Sequence, residues 1–393
     1  MMDMDPKWTD GNELKYLKQV LENKQSVRDN PFTDRLEQHF KKKYKCKFAI
    51  ALNSGASALH CAMYAAGVGP GTEIITSPYS VLWDAEIALI MGATVKFADI
   101  KYNTHNINAK EIEKLITKKT RAIVPVSYHG LPCDIDEINK VAKKYKIPVI
   151  EDNAQTMLGE YNGRLVGKDS DMSMFSLERT KHISCHEGGV LLTNNERYAK
   201  IARKFGGGGF TNLTSDKSKL IAIIPSEFQS PDHKRHDSLG LNYRISEFQA
   251  AVACAQFERV DEKVFLRREI AKVYNDVFSN FTEFEPQDEP TGYKNSYFSF
   301  CVKTPFQKLK KWKSFYNYHL KNSGDSFYAM MSIVYQEDIM KKLGYAKKYK
   351  GKCEIAEQIQ PNCMLFKTNY RSIKEAKKNI DVLHKNLKNH YKS

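Results

Sequence analysis

Long apolar runs are missing from the chain. No stretch approaches the ~20 residues that a membrane-spanning helix requires, so no association with a membrane is expected. A secretory core is missing too. The first residues, MMDMDPKWTDGNELKYL, open on acids and contain no apolar segment, which argues for a cytoplasmic protein. The 8 cysteines form no CxxC pair, and no histidine cluster stands at metal-ligand spacing. They read as reduced thiols, and neither a disulfide framework nor a metal site is expected. Internal repeats and low-complexity tracts are absent. Acids are in deficit, with 46 Asp and Glu against 61 Lys and Arg, a formal charge of +15. A nucleic-acid face would concentrate that excess on one helix or patch. Here KKKYKCK (41–47), KKYK (143–146), KKWK (310–313) and KKYKGK (347–352) are scattered. They read as solvated surface, and no nucleic-acid partner is expected. A basic surface still attracts a phosphorylated small substrate.

What the chain has is length and apolar material. Its 393 residues, 41% hydrophobic and 11% aromatic, suit one large domain plus a smaller one. Seven short β-branched runs lie in the first half: CKFAIAL (46–52), EIIT (73–76), TVKFADI (94–100), RAIVPVS (121–127), IPVIEDN (147–153), MSMFS (172–176) and GGVLLTN (188–194). Amphipathic stretches such as NAKEIEKLITKKT and DIDEINKVAKKYK separate them. The alternation predicts an α/β fold, a mostly parallel seven-stranded sheet flanked by helices. RISEFQAAVACAQFERVDEKVFLRREIAKVYNDVF reads as one long helix. Beyond it the texture turns to aromatic strands (SYFSFCVKT, 296–304) and Lys-rich helices. The division expected is a large domain over 1–254 and a smaller α+β domain over 255–393. Residues 205–240 show little regular pattern, as mobile or functional loops do.

Three pieces carry chemistry. In ALNSGASALHCAMYAAG (51–67) a strand runs through a Ser-Gly-Ala-Ser turn into an apolar helix, a geometry that suits an anion but also serves as a plain turn. In IPVIEDNAQ (147–155) a carboxylate, Asp152, ends a buried strand, where open α/β sheets place their sites; it could instead cap a helix. In MFSLERTKHISCHEGG a lysine, Lys181, sits in a polar loop between two apolar runs. A phosphate turn, a carboxylate at a strand end and a loop lysine are what pyridoxal phosphate chemistry requires: a lysine amine for the aldehyde, a carboxylate for the pyridine nitrogen.

In order and spacing, GNELKYL, NSGASALH, GVGPGTEIITSPYS, GATVKFADI, VSYHGLPCDID, VIEDNAQ, FSLERTKH, HEGGVLLTN and GLNYRISEFQAAVACAQ resemble the DegT/DnrJ/EryC1/StrS family of fold-type I, pyridoxal-phosphate-dependent aminotransferases, chiefly sugar aminotransferases. The resemblance implies pyridoxal 5′-phosphate as cofactor, with Lys181 holding its aldehyde and Asp152 pairing with the ring nitrogen. It also implies Gln155 at the ring hydroxyl, Ser176, Gly55 and Ala56 at the phosphate, and Asn242 reaching the phosphate of a partner subunit. A homodimer with shared sites follows, using L-glutamate as donor and an anionic keto-sugar, nucleotide-linked or phosphorylated, as acceptor.

The chain departs from the family pattern at several places. Ala56 stands where many relatives have Thr, so Ser57 is expected to supply the lost hydroxyl. Val81 stands where an aromatic usually covers the cofactor, with Trp83 nearby as core or substrate wall. His186 stands where Gly is common. His182, next to Lys181, leaves open the subgroup that uses histidine and runs as a dehydratase, and its plain reading is a structural or solvent-facing imidazole. Smaller phosphorylated ketones, keto-cyclitols and a non-enzymatic basic binding protein on the same fold are the other readings. The tail from Asn322 to Tyr370 looks unlike most nucleotide-sugar members and is expected to read the acceptor.

Overall fold

The computed structural model describes residues 10–22, 31–216, 230–306 and 309–391. Seven strands lie side by side in the order Phe48–Leu52, Gly189–Thr193, Met172–Ser176, Ile150–Asp152, Thr120–Val124, Glu73–Thr76 and Thr94–Phe97. Gly189–Thr193 alone runs antiparallel to its neighbours. The expected seven-stranded, mostly parallel sheet is therefore present. Its pairing is thinnest between Ile150–Asp152 and Thr120–Val124, where the bridges Ile123–Val149 and Val126–Asp152 join the two halves. Pro125 and Pro148 stand in that seam and have no N–H to give. Their carbonyls accept instead, from Asp152 N–H at 2.9 Å and Ile123 N–H at 3.1 Å. That seam fixes the backbone of Asp152.

Period-two alternation decides which helix covers which face. Ile50, Leu52, Met174 and Leu191 pack with Leu59 and Met63 of the Gly55–Ala65 helix and with Ala199 and Ala202 of the Glu196–Gly206 helix. Their neighbours Ala49, Ala51, Phe175, Val190 and Leu192 point the other way. They meet Phe40 and Tyr44 of the Pro31–Tyr44 helix and Ala250–Ala255 of the Glu247–Phe257 helix.

The run read as one long helix is two, Glu247–Phe257 and Val260–Phe278. Between them Glu258 is held by Asn12, Tyr16 and Arg35, and Arg259, at φ −111° and ψ 12°, by Glu13. These partners come from the beginning of the chain and override the local propensity to continue. Val260 and Val264 still belong to the large core, whereas from Ile270 onward the second helix packs into an aromatic core with Phe300, Phe315, Phe327 and Phe366. The two cores thus part inside Val260–Phe278. A four-stranded antiparallel sheet, ordered Glu285–Pro286, Ser299–Lys303, Cys363–Lys367, Tyr328–Ala329, supports the second core. Of the irregular segment 205–240, residues 217–229 lie outside the described residues; beside them Phe210 bridges to His236.

The tail expected to read the acceptor packs elsewhere. Met330, Val334, Tyr335, Tyr345 and Tyr349 join the large core. Val95 N–H donates to the Tyr345 hydroxyl at 3.2 Å, and Ile355 and Ala356 N–H donate to the Asp99 carboxylate at 2.9 and 3.0 Å.

Candidate active site

At the end of Phe48–Leu52 the chain turns through Ser54, whose extended backbone (φ −160°, ψ 163°) and hydroxyl cap the Gly55–Ala65 helix by accepting from Ser57 N–H at 3.0 Å. The N–H groups of Gly55 and Ala56 open the helix and point out of it, with the positive helix end behind them. Two glycines let this turn sit close to the sheet. A Cβ on Gly55 would meet Ser176 Cβ at 2.9 Å and Oγ at 3.1 Å, and one on Gly189 would lie 2.1 Å from the Ser54 carbonyl oxygen. Neither position has room for a methyl group. The Ser176 hydroxyl is thereby brought against the helix start.

Asp152 ends its strand in full burial and accepts from Ala154 N–H at 2.8 Å. Burial raises its pKa, while that N–H, the charge of Lys181 and Asp84 pull it back. Lys181 projects from the loop after Met172–Ser176, its Nζ 4.7 Å from the ring centre of Phe298. Burial lowers the pKa of its ammonium, against the opposing pull of Glu178, Asp152 and Glu187. A lysine so shifted is more readily the free, nucleophilic amine. Gln155 is buried, and its side-chain oxygen accepts from His129 N–H at 3.0 Å.

These groups converge. Gly55, Ala56, Asp152, Gln155, Ser176 and Lys181 line one cavity of about 400 Å³, within the range of small-molecule sites. Val81 and Trp83 are on its wall, and Trp83, 55% exposed, is rim rather than core. Ser57 and Asn242 stand outside it, on an adjoining open groove. The Ser57 hydroxyl is spent on Ser54 Oγ at 2.7 Å and Asn53 Oδ1 at 2.5 Å, so within one chain it does not replace the hydroxyl missing at Ala56. Asn242 is exposed and bridges to Gly207. His182 is buried with Nε2 3.0 Å from the Ser296 carbonyl oxygen, a structural imidazole. His186 has φ 75°, which explains why glycine suits that position. The basic character of the chain does not extend to the cavity: Asp152, Glu178 and Glu187 line it against Lys181. The excess positive charge lies elsewhere on the chain. No residue from 322 to 370 reaches the cavity lining.

Sequence reasoning missed Asp84. It lies in the Trp83–Ile90 helix on the stripe formed with Ile87 and Ala88, 1% exposed, and its carboxylate oxygens make no hydrogen bond of ordinary geometry. Burial and the neighbouring Asp152 raise its pKa well above the carboxyl range. An acid on the buried stripe of a helix, beside Ile87 and Ala88, was the signal that could have found it. Tyr128, whose ring also faces the cavity, gave no such signal.

Residues 8–380 match the DegT/DnrJ/EryC1/StrS aminotransferase family. MJ1066, an uncharacterized protein of Methanocaldococcus jannaschii, is 36% identical over 64% of this chain and 63% of its own length. The GDP-perosamine synthase of Caulobacter vibrioides is 33% identical over 67% of each chain. The match thus spans less than two thirds of the length of the first of these relatives. Among solved structures, Helicobacter pylori PseC, an aminotransferase involved in pseudoaminic acid biosynthesis, superposes with a TM-score of 0.84 at 23% identity, over 99% of both chains. The architecture is that of the fold-type I aminotransferases. The chain belongs to the DegT/DnrJ/EryC1/StrS aminotransferase family, whose cofactor is pyridoxal 5′-phosphate.

Proposed function

We propose that this family member moves an amino group from L-glutamate to the ketone of a sugar carried on a nucleotide or a phosphate. The observation that carries the reading is the convergence of Lys181, Asp152 and Ser176 with the start of the Gly55–Ala65 helix in one cavity. The residues fit the cofactor. Gly55 lets the Ser176 hydroxyl stand against the helix start, where a methyl group would collide with it, and the N–H groups of Gly55 and Ala56 with that hydroxyl would hold the phosphate. Gln155 would face the ring hydroxyl. When bound, pyridoxal phosphate supplies an electron sink for a carbanion beside the amine nitrogen.

The chain supplies the rest. The carboxylate of Asp152 would keep a proton on the ring nitrogen, and burial would strengthen that pairing. The Lys181 amine, its pKa lowered by burial, would hold the cofactor aldehyde and would carry a proton between the donor α-carbon and the cofactor C4′. Trp83 forms a wall where an acceptor sugar would lie. The relatives' activities, a GDP-perosamine synthase and an aminotransferase of pseudoaminic acid biosynthesis, favour a sugar over a cyclitol. The burial of His182 on the Ser296 carbonyl favours transamination over the histidine-dependent dehydratase. Asn242, exposed outside its own cavity, is available to a partner's phosphate, which supports a homodimer with two shared sites. Eight buried, unpaired cysteines fit a reducing cytoplasm, and no described helix is long and apolar enough to cross a membrane.

Borohydride reduction followed by peptide mapping tests the assignment. The pyridoxyl label belongs on Lys181, and Lys181→Ala should lose turnover. A label on another lysine overturns the reading. A panel of nucleotide-linked, phosphorylated and free keto-sugars then identifies the acceptor.

A further inference from the structure

Three soft or borderline donors from distant parts of the chain meet below the cavity. His105 lies in the turn after Thr94–Phe97, His129 in the turn Tyr128–Gly130, and Cys301 in the Ser299–Lys303 strand. They are 0%, 1% and 3% exposed, and one donor atom from each lies within 4.8 Å of the other two. Cys301 Sγ stands 3.6 Å from His105 Nδ1. Bond lengths of about 2.3 Å for Zn–S and about 2.0–2.1 Å for Zn–N give a tetrahedral S···N separation of about 3.6 Å.

The His129 ring also has an Nε2 without a hydrogen-bond partner, although buried polar atoms are almost always satisfied. His129 is oriented for a task, since its Nδ1 is 3.0 Å from Ser299 Oγ, the kind of contact that fixes a ligating ring. Both histidines hold left-handed backbone, at φ 59° and 62°, a strain that side chains other than glycine's adopt where the surroundings impose it. A fourth donor is at hand. The Cys363 thiol lies outside that group of three but on the same face of the adjoining strand as Cys301, and Tyr79 donates to its Sγ at 3.3 Å.

We infer that His105, His129 and Cys301, completed by Cys363, bind a structural zinc ion that ties the second half of the chain to the floor of the active-site cavity. Nitrogen and sulfur donors in this number select zinc over the hard cations. A site closed to solvent is structural rather than hydrolytic. On ligation the thiol protons leave to solvent and the imidazoles bind as neutral rings; no redox change is involved. Because the donors are buried, the ion enters as the chain folds. Its place is mechanically pointed. His129 follows Tyr128 of the cavity wall, and its N–H is held by Gln155.

The test is metal analysis of the full-length, cofactor-loaded protein made in zinc-supplemented medium and washed with EDTA. About one zinc per chain is expected, with X-ray absorption at the zinc edge showing two nitrogen and two sulfur neighbours. Cys301→Ala should lower the content at least tenfold. Folded, cofactor-loaded wild-type protein without zinc overturns the inference, whatever the variants do. So does zinc whose amount and neighbours are unchanged in Cys301→Ala, which would be an ion bound elsewhere. Neither result bears on the aminotransferase assignment, because metal content is read without turnover.

Discussion

Asp84 and Asp152 lie carboxyl beside carboxyl under the cavity, both buried, and the charge of Lys181 acts on Asp152. Two such groups cannot both ionise cheaply. Asp84 therefore keeps its proton and Asp152 takes the charge, which is the division a cofactor nitrogen needs.

Asp152→Asn should reduce kcat on the order of 10²-fold or more, by removing a charge from a shielded site. Asp84→Asn replaces one neutral group with another and should cost far less. Equal losses would mean that Asp84 is the residue paired with the ring.

The same pair predicts a pH effect on the cofactor-free protein. Folded Asp84 holds a proton that the unfolded chain releases above the ordinary carboxyl range, about pH 4. Wild-type stability should therefore fall as pH rises from there towards the raised pKa of Asp84. Asp84→Asn lacks that loss, so its Tm relative to wild type should climb from pH 4 to pH 8. Calorimetry giving a constant difference sinks this assignment of the proton.

Gly189→Ala drives a methyl group into the Ser54 carbonyl. Overpacking of this kind costs about 1–3 kcal/mol, and here it also displaces the phosphate turn. Denaturant unfolding should register the first effect and a weakened Kd for pyridoxal phosphate the second. Gly69→Ala, where nothing lies within 4 Å, is the control and should change neither.

Lys181→Ala and Asn242→Ala should each be inactive, and their mixed subunits should regain part of the activity. One site of the hybrid dimer would carry both lesions and the other neither. If subunits exchange without recovery, each site is built from one chain.

The net charge of +15 should draw an anionic ketone even though acids line the cavity. Its kcat/KM should fall with added salt, the Debye length being ~10 Å at 0.1 M, and more steeply than that of an uncharged analogue. A neutral keto-cyclitol as best acceptor, insensitive to salt, ends the anionic-substrate idea and leaves transamination standing.

The strands and the Asp152, Ser176 and Lys181 set were legible because each is written in a few consecutive residues. An apolar run ends in a polar group, and the order of such pieces carries the rest. What escaped depends on distance along the chain. Nothing near Glu258 announces that Tyr16 and Arg35 will hold it and break the helix. His105, His129 and Cys301 share no local spacing, so the sequence offers no ligand pattern. The tail's tyrosines look like site material until their packing partners, Val95 and Phe97, are known.

The placement of that tail has a consequence for solubility. Thr94–Phe97 is the outermost strand of the large sheet and pairs on one side only. A bare strand of this kind is a template on which any extended chain can add itself. The Tyr345 hydroxyl on Val95 N–H and the ring of Tyr349 against Phe97 close that docking line. A cut or insertion that loosens residues 330–360 would therefore leave the cavity residues in place and expose an aggregation seed on the far flank of the enzyme.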